Sequence, residues 1–183
     1  MESVLEVARN KMNKAIEHLE VELTKIRAGK ANPSLLDSVL VEYYGTKVPV
    51  SQTASVNTLD ARTLIIQPWE KGMLTVIEKA ILQANLGFNP QNDGRVIRVS
   101  IPPLTEERRR ELVKLSKQVV EEAKIGIRSA RKEAMEGIKK LQKEGMPEDE
   151  AKVLEQKVQK LTDEYIAKCD KHLELKEKEI MTV

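Results

Sequence analysis

The sequence predicts an α+β fold: an elongated three-helix bundle with a small β/α/β domain inserted into it. Two observations carry this reading. The first is a double change of composition. Residues 30–103 hold 13 charged residues out of 74, whereas the flanks, 1–29 and 104–183, hold 47 out of 109. The same middle stretch contains six of the seven prolines and four of the five aromatic residues. A composition that changes and then reverts marks one unit interrupted by another, so 1–29 and 104–183 form the bundle and 30–103 the insert. The second observation is that apolar residues recur at helical spacing in both flanks and in β-like runs between them.

The N-terminal flank places Leu5, Ala8, Met12, Ala15, Leu19 and Ile26 in steps of three and four, with Glu22 interrupting. Ser3 and Glu6 have capping-box spacing, and Gly29 followed by Pro33 is a stop. A second helix begins after Thr105, a fair N-cap, with Glu106 and Glu107 at its positive end. Its stripe runs through Leu112, Val119, Ala123, Ile127, Ala130, Ala134 and Leu141, and it ends near Gly145. Pro147 then opens a third helix that buries Ala151, Leu154, Val158, Leu161, Tyr165, Cys169 and Leu173. Three amphipathic stripes leave water only by facing one another, which gives a bundle.

In the middle segment, 39–44, 63–67 and 95–101 are rich in β-branched residues and read as strands. Gly45-Thr46 and Asn92-Asp93-Gly94 are turn signals. Leu74, Ile77, Ile81 and Leu82 form a helical stripe, with Gly87 as its C-cap. The chain leaves the bundle at Gly29-Lys30 and returns at Pro102-Pro103. Two passages of backbone alone make a hinge.

Most chemistry is excluded by what is missing. His18 and His172 lie in different helices without metal-ligand spacing, and Cys169 falls on an apolar stripe, as a core thiol does. A single cysteine allows no internal disulfide. Gly29-Lys30 lacks the upstream glycine of a phosphate-binding loop, and Ala31 stands where that loop carries Ser or Thr. No apolar run is long enough for a membrane span, and the first residues lack a targeting pattern, so a cytosolic protein is expected. No cofactor, metal, small-molecule substrate or catalytic residue is expected.

One arrangement stands out in a chain of net charge only +2. Projected at ~100° per residue, Arg110, Lys114, Lys117, Lys124, Arg128, Arg131, Lys132 and Lys139 fall in one band of the second helix, with the apolar stripe on its far side. Two readings stay open. The band is a solvated face with intrahelical ion pairs, or it is a contact surface for nucleic-acid phosphates. The absence of interleaved aromatics favours folded RNA over stacked single strands in the second case. Arg131, three residues from Arg128, is expected to be exposed and to add little to stability.

Five segments carry a resemblance: Lys25-Ile-Arg-Ala-Gly-Lys-Ala-Asn-Pro-Ser-Leu-Leu-Asp37, Val41-Glu-Tyr-Tyr-Gly-Thr46, Leu86-Gly-Phe-Asn-Pro90, Ile97-Arg-Val-Ser-Ile-Pro-Pro-Leu-Thr-Glu-Glu-Arg-Arg109 and Val158-Gln-Lys-Leu-Thr-Asp163. Through them the chain resembles the bacterial ribosome recycling factors over essentially its full length. The resemblance implies an L-shaped, monomeric molecule that binds the post-termination ribosome through large-subunit RNA. With elongation factor G and that partner's GTP hydrolysis, such factors separate the subunits and release mRNA and tRNA. It also implies that the main RNA contact is the cluster Arg128, Arg131 and Lys132; Lys124, Lys117 and Arg110, which the projection places along the same band, are expected to add to it. Two other functions remain possible on the residues alone: an RNA-binding helical hairpin without recycling activity, and an adaptor that pairs its helices with a protein. Co-sedimentation with ribosomes separates the adaptor from the rest.

Overall fold

Contacts in the computed structural model, which describes residues 3–182, divide the chain into two units. One holds the chain up to Ala28 and from Glu106 on; the other is Gly29–Thr105.

The first unit is three helices. Helix α1, Val4–Lys25, opens on a complete capping box: the Glu6 amide donates to Ser3 Oγ (3.2 Å), and the Ser3 amide donates to Glu6 Oε2 (3.1 Å). Its buried positions are Ala8, Met12, Ile16, Leu19 and Leu23. Leu5 and Ala15, expected in the core, are only half-buried. Packing against two helices at once shifts the buried stripe toward Ile16 and Leu23. Helix α3, Glu106–Lys143, has 38 residues and is therefore ~57 Å long. Gly145, at φ +115°, turns the chain, and Pro147 is the N-cap of α4, Glu148–Met181.

Cross-contacts give the helix directions. Lys11 pairs with Glu133, and a Cβ on Gly126 would lie 3.6 Å from that of Ala15, so α1 runs antiparallel to α3. The Tyr165 hydroxyl donates to Asn13 Oδ1, and His172 Nε2 lies 3.4 Å from Glu20 Oε1, so α1 runs parallel to α4. Two buried hydroxyls interrupt the apolar stripes without penalty. Ser116 Oγ donates to the Leu112 carbonyl and Thr162 Oγ1 to that of Val158, each at 2.8 Å within its own helix.

The second unit has its own core. An antiparallel sheet of order β3-β4-β6-β5 uses Ala54–Asp60, Thr63–Pro68, Ile97–Ser100 and Asn89–Asn92. A separate hairpin joins β1, Leu40–Tyr43, to β2, Thr46–Pro49. Helix α2, Leu74–Gln83, buries Leu74, Ile77 and Ile81 in the same cluster as Val39, Val41, Leu64, Ile66, Ile97 and Val99. Leu82 does not join it and is exposed, because one sheet covers only a narrow side of a ten-residue helix. Nor does Gly87 end that helix. Asn85, at φ +50°, takes the left-handed conformation two residues past Gln83, a role its short side chain tolerates. The two outer strands of the sheet escape the sequence pattern. β3 exposes most of its polar Asn57-Thr-Leu-Asp60 end, and β5 is Asn-Pro-Gln-Asn, in which Pro90 costs no interior ladder bond. Asp93 closes the next turn. Its carboxylate accepts from the amides of Arg95 and Val96 at 2.9 Å, which holds its pKa below the usual carboxylate range.

Both chain passages at the unit's boundary are tied to the β3–β4 turn. The Ala31 amide donates to the Ala61 carbonyl and the Ile101 amide to that of Arg62, each at 2.8 Å. Between them Gly29, at φ +72°, leaves no room: a Cβ there would sit 2.7 Å from Leu104 Cγ. Gly87 has a similar φ of +81° and nothing within 4 Å. Both Gly→Ala changes should therefore cost about 1–2 kcal/mol for the backbone conformation alone, and Gly29→Ala should cost measurably more. Equal midpoint shifts in urea denaturation of the two variants would contradict the steric role given to Gly29.

Candidate nucleic-acid interface

The basic band of α3 is real, but the structure splits it in two. Val120 and Ile138 are fully buried with Ala123, Ile127 and Ala134, whereas Val119 and Leu141 are half-buried. The buried stripe is thus rotated toward the cations. It borders the band instead of lying on its far side, and the border is the seam with α4.

The inner edge of the band consists of Lys117, Lys124 and Arg131, seven residues apart. Each meets α4. Lys117 Nζ lies 3.9 Å from Glu177, and Lys124 Nζ lies 2.5 Å from Asp170 with the lysine side chain only 17% exposed. Arg131 Nε donates to Gln159 Oε1 at 2.7 Å, and Gln159 Nε2 donates onward to Asp163 at 2.9 Å. Asp163, Asp170 and Glu177 also step by seven, so two antiparallel helices meet in a charge ladder of coiled-coil type. Arg131 is half-buried in that seam. The expectation that it is exposed is therefore corrected: it is half-buried and hydrogen-bonded across the seam to Gln159. The signal was present in the sequence as opposite charges at matched sevenfold spacing in two helices joined by a short turn.

The outer edge faces water. Arg110 pairs with Glu106 one turn earlier (2.7 Å), and Arg128 with Glu121 two turns earlier (3.0 Å). The Arg128 side chain remains 56% exposed. Such exposed pairs are worth little and exchange readily for another acceptor. Lys114, Lys132 and Lys139 are exposed, and no described residue takes a hydrogen bond or ion pair from them. Ile125 lies among these cations and is 59% exposed, an apolar residue that the charge pattern did not single out. Of the six predicted contact residues, Arg110, Arg128 and Lys132 are thus exposed, the two arginines in solvated pairs on their own helix, while Lys117, Lys124 and Arg131 are engaged at the seam.

The remaining candidates are placed plainly. Gly29 and Lys30 lie at the start of the second unit, and Pro102 and Pro103 are exposed near its end. Cys169 is buried in α4, and burial pushes its thiol pKa up, against nucleophilic use. Among the described residues no group of three His, Cys, Asp or Glu side chains converges as a metal site would require, and no helix is long and apolar enough to cross a membrane.

Comparison with known proteins sets this surface in a family. The family model described as "Ribosome recycling factor" matches residues 19–181. The ribosome-recycling factor of Flavobacterium psychrophilum is 56% identical over 98% of this chain and 96% of its own length. That of Christiangramia forsetii is 54% identical over 100% and 98% of the two chains, and that of Oleidesulfovibrio alaskensis is 49% identical over the whole of both. Among solved structures, a solution structure of ribosome recycling factor is 44% identical, with a TM-score of 0.76 over 98% of this chain and 96% of that one. The T. thermophilus ribosome recycling factor, in a structure with the E. coli elongation factor G bound to the E. coli post-termination complex, is 47% identical, with a TM-score of 0.63 over 98% and 100%.

The split of the band is open to a double-mutant cycle. Lys124→Ala with Asp170→Ala should show a coupling of about 0.5–1 kcal/mol in thermal or chemical unfolding, since the pair is partly shielded. Arg128→Ala with Glu121→Ala should show a coupling near zero, as solvated pairs do. The reverse order would mean that the outer edge, not the inner one, holds the helices.

Proposed function

The chain belongs to the ribosome recycling factor family, and on that footing we propose that it binds the post-termination ribosome through the outer edge of α3. Large-subunit RNA is the partner surface. With elongation factor G, whose own GTP hydrolysis supplies the energy, the bound factor separates the subunits and frees mRNA and tRNA. The chain itself performs no catalysis and works in the cytosol, where its partners are. The observation that carries this reading is the exposed row Arg128, Lys132 and Lys139, of which Arg128 is held by a solvated pair with Glu121, presented on a helix whose neighbouring cations are already held by α4.

The physical logic is electrostatic. Folded RNA presents phosphates at high density, and each cation that meets one releases a condensed counterion. Arg128 brings a planar fork that grips two phosphate oxygens at once, and its exchangeable pair with Glu121 holds the side chain on the correct edge until RNA arrives. Lys132 adds a point charge one turn further on. Lys124, Lys117 and Arg131 contribute indirectly, by holding α3 rigid against α4 so that the outer cations keep a fixed spacing. Flexion at Gly29-Lys30 and Pro102-Pro103 would let the inserted unit change its attitude once the bundle is anchored, so that binding and splitting become separable steps.

This separation can be measured. Arg128→Ala and Lys132→Ala should each weaken co-sedimentation with ribosomes about tenfold, the loss expected for one charged hydrogen-bonded contact, with melting temperature unchanged. Lys140→Ala, exposed on the same helix outside the band, should bind normally. A cross-link joining the two units should preserve binding and abolish subunit splitting followed by light scattering with elongation factor G and GTP. A cross-linked protein that splits ribosomes at the normal rate would remove flexion from the mechanism. Failure of the unmodified protein to split them would remove the recycling reading.

A further inference from the structure

The β1–β2 hairpin carries a residue that its own fold does not explain. Its two-residue loop is Tyr44-Gly45, with φ of +47° and +81°. Both positive values belong to the tight turn in which Asn-Gly is the favoured pair. Glycine meets this demand freely. A bulky tyrosine at the first position is a steric outlier, and such strained residues concentrate at functional places. The ring takes no part in the unit's core: Tyr44 is 81% exposed.

The ring is nevertheless held. Tyr43 and Tyr44 meet edge to face, with centroids 4.4 Å apart and planes at 76°. Glu70, from the segment before α2, ties both phenols. The Tyr43 hydroxyl donates to Oε1 at 2.9 Å and the Tyr44 hydroxyl to Oε2 at 3.3 Å. The Tyr43 bond is the main reason that phenol is pushed above its ordinary range, as expected beside an ionised carboxylate. Glu70 is exposed and has no ion-pair partner among the described residues. The hairpin thus presents an open aromatic face with an uncompensated carboxylate at its rim.

We propose that Tyr44, positioned by Tyr43 and Glu70, is a receptor for an arginine side chain of a protein partner in the recycling complex. A guanidinium plane stacks on the open ring while its N–H groups reach the carboxylate, and one cation satisfies both groups. Lysine fits less well, since its compact ammonium cannot lie flat on the ring and also donate in a fork. RNA is disfavoured, because Glu70 repels the phosphates that would accompany any base stacked on Tyr44. The surface chemistry stands on the hairpin alone; its use in recycling rests on the function proposed above.

Two experiments separate these levels. In the first, the full-length protein is titrated with acetyl-Gly-Arg-Gly-amide, with its lysine counterpart and with a uridine hexanucleotide, and the Tyr44 ring signals are followed by NMR. The arginine peptide should shift them most, and Glu70→Gln should remove the difference between the two peptides. A response to the oligonucleotide alone, or no response to the arginine peptide, would overturn the proposal. In the second, Tyr44→Asn should unfold at the same or a higher temperature than the parent, because asparagine suits the turn, yet split ribosomes about fivefold more slowly, the loss expected for one cation–π contact. Normal splitting by Tyr44→Asn would overturn the role in recycling. If the parent protein itself does not split ribosomes, the recycling reading fails, and the titration still decides the arginine receptor.

Discussion

Seven residues along an α-helix return to nearly the same side, and the bundle depends on what this does to the charges of α3. Lys117, Lys124 and Arg131 share one edge, and Glu177, Asp170 and the Gln159–Asp163 pair answer them from α4. The ladder adds modest energy beside the burial of Ile127, Ile138, Val158 and Cys169. Register is fixed by the short turn between Lys143 and Glu148 and by the buried stripe; the ladder, which repeats every seven residues, instead holds the inner cations of α3 against α4 along the seam.

A fixed register has a consequence for recognition. Side chains on the outer edge of α3 inherit their positions from the seam, so Arg128 and Lys132 stand at a spacing set by the fold. Cations that are already in place lose less freedom when they meet RNA. The band is therefore divided across the width of one helix: the inner edge is engaged with α4 and the outer edge is left exposed, which is why the proposed contact is placed there. The hairpin of the second unit shows the same economy in another form. There the fold tolerates an unfavourable φ at Tyr44 and holds the exposed ring with Glu70.

Much of this was legible from the chain, and the misses have causes. The three long helices declared themselves because each buries an apolar stripe over many turns; α1 ends at Lys25 and α3 at Lys143, close to the glycines that marked their stops. Positions within the stripes were less accurate. Ile16, Val120 and Ile138 were passed over because a helix packed on two neighbours buries more than one row, and Ser116 because a hydroxyl satisfied by its own helix carries no apolar signal. β3 and β5 lie at sheet edges, where polar residues and a proline are tolerated, so their sequences hold little strand character. In the candidate site, the structure places Arg131 half-buried and hydrogen-bonded to Gln159, not freely exposed as the pattern suggests. A projection of one helix shows which residues share a face; it does not show which part of that face another helix covers. Tyr44 has the sequence signature of a strand's last residue, and only its backbone conformation reveals it as a turn residue held outward.

The central claim is that the outer edge of α3, and not the band as a whole, meets RNA. The salt dependence of ribosome binding tests it most directly. A cation that contacts phosphate contributes about one unit to the slope of log affinity against log salt. Lys132→Ala should lower that slope by about one, whereas Lys124→Ala, which empties a place in the seam, should leave it unchanged whatever it does to stability. Equal slopes for the parent and both variants, or a loss confined to Lys124→Ala, would contradict the account.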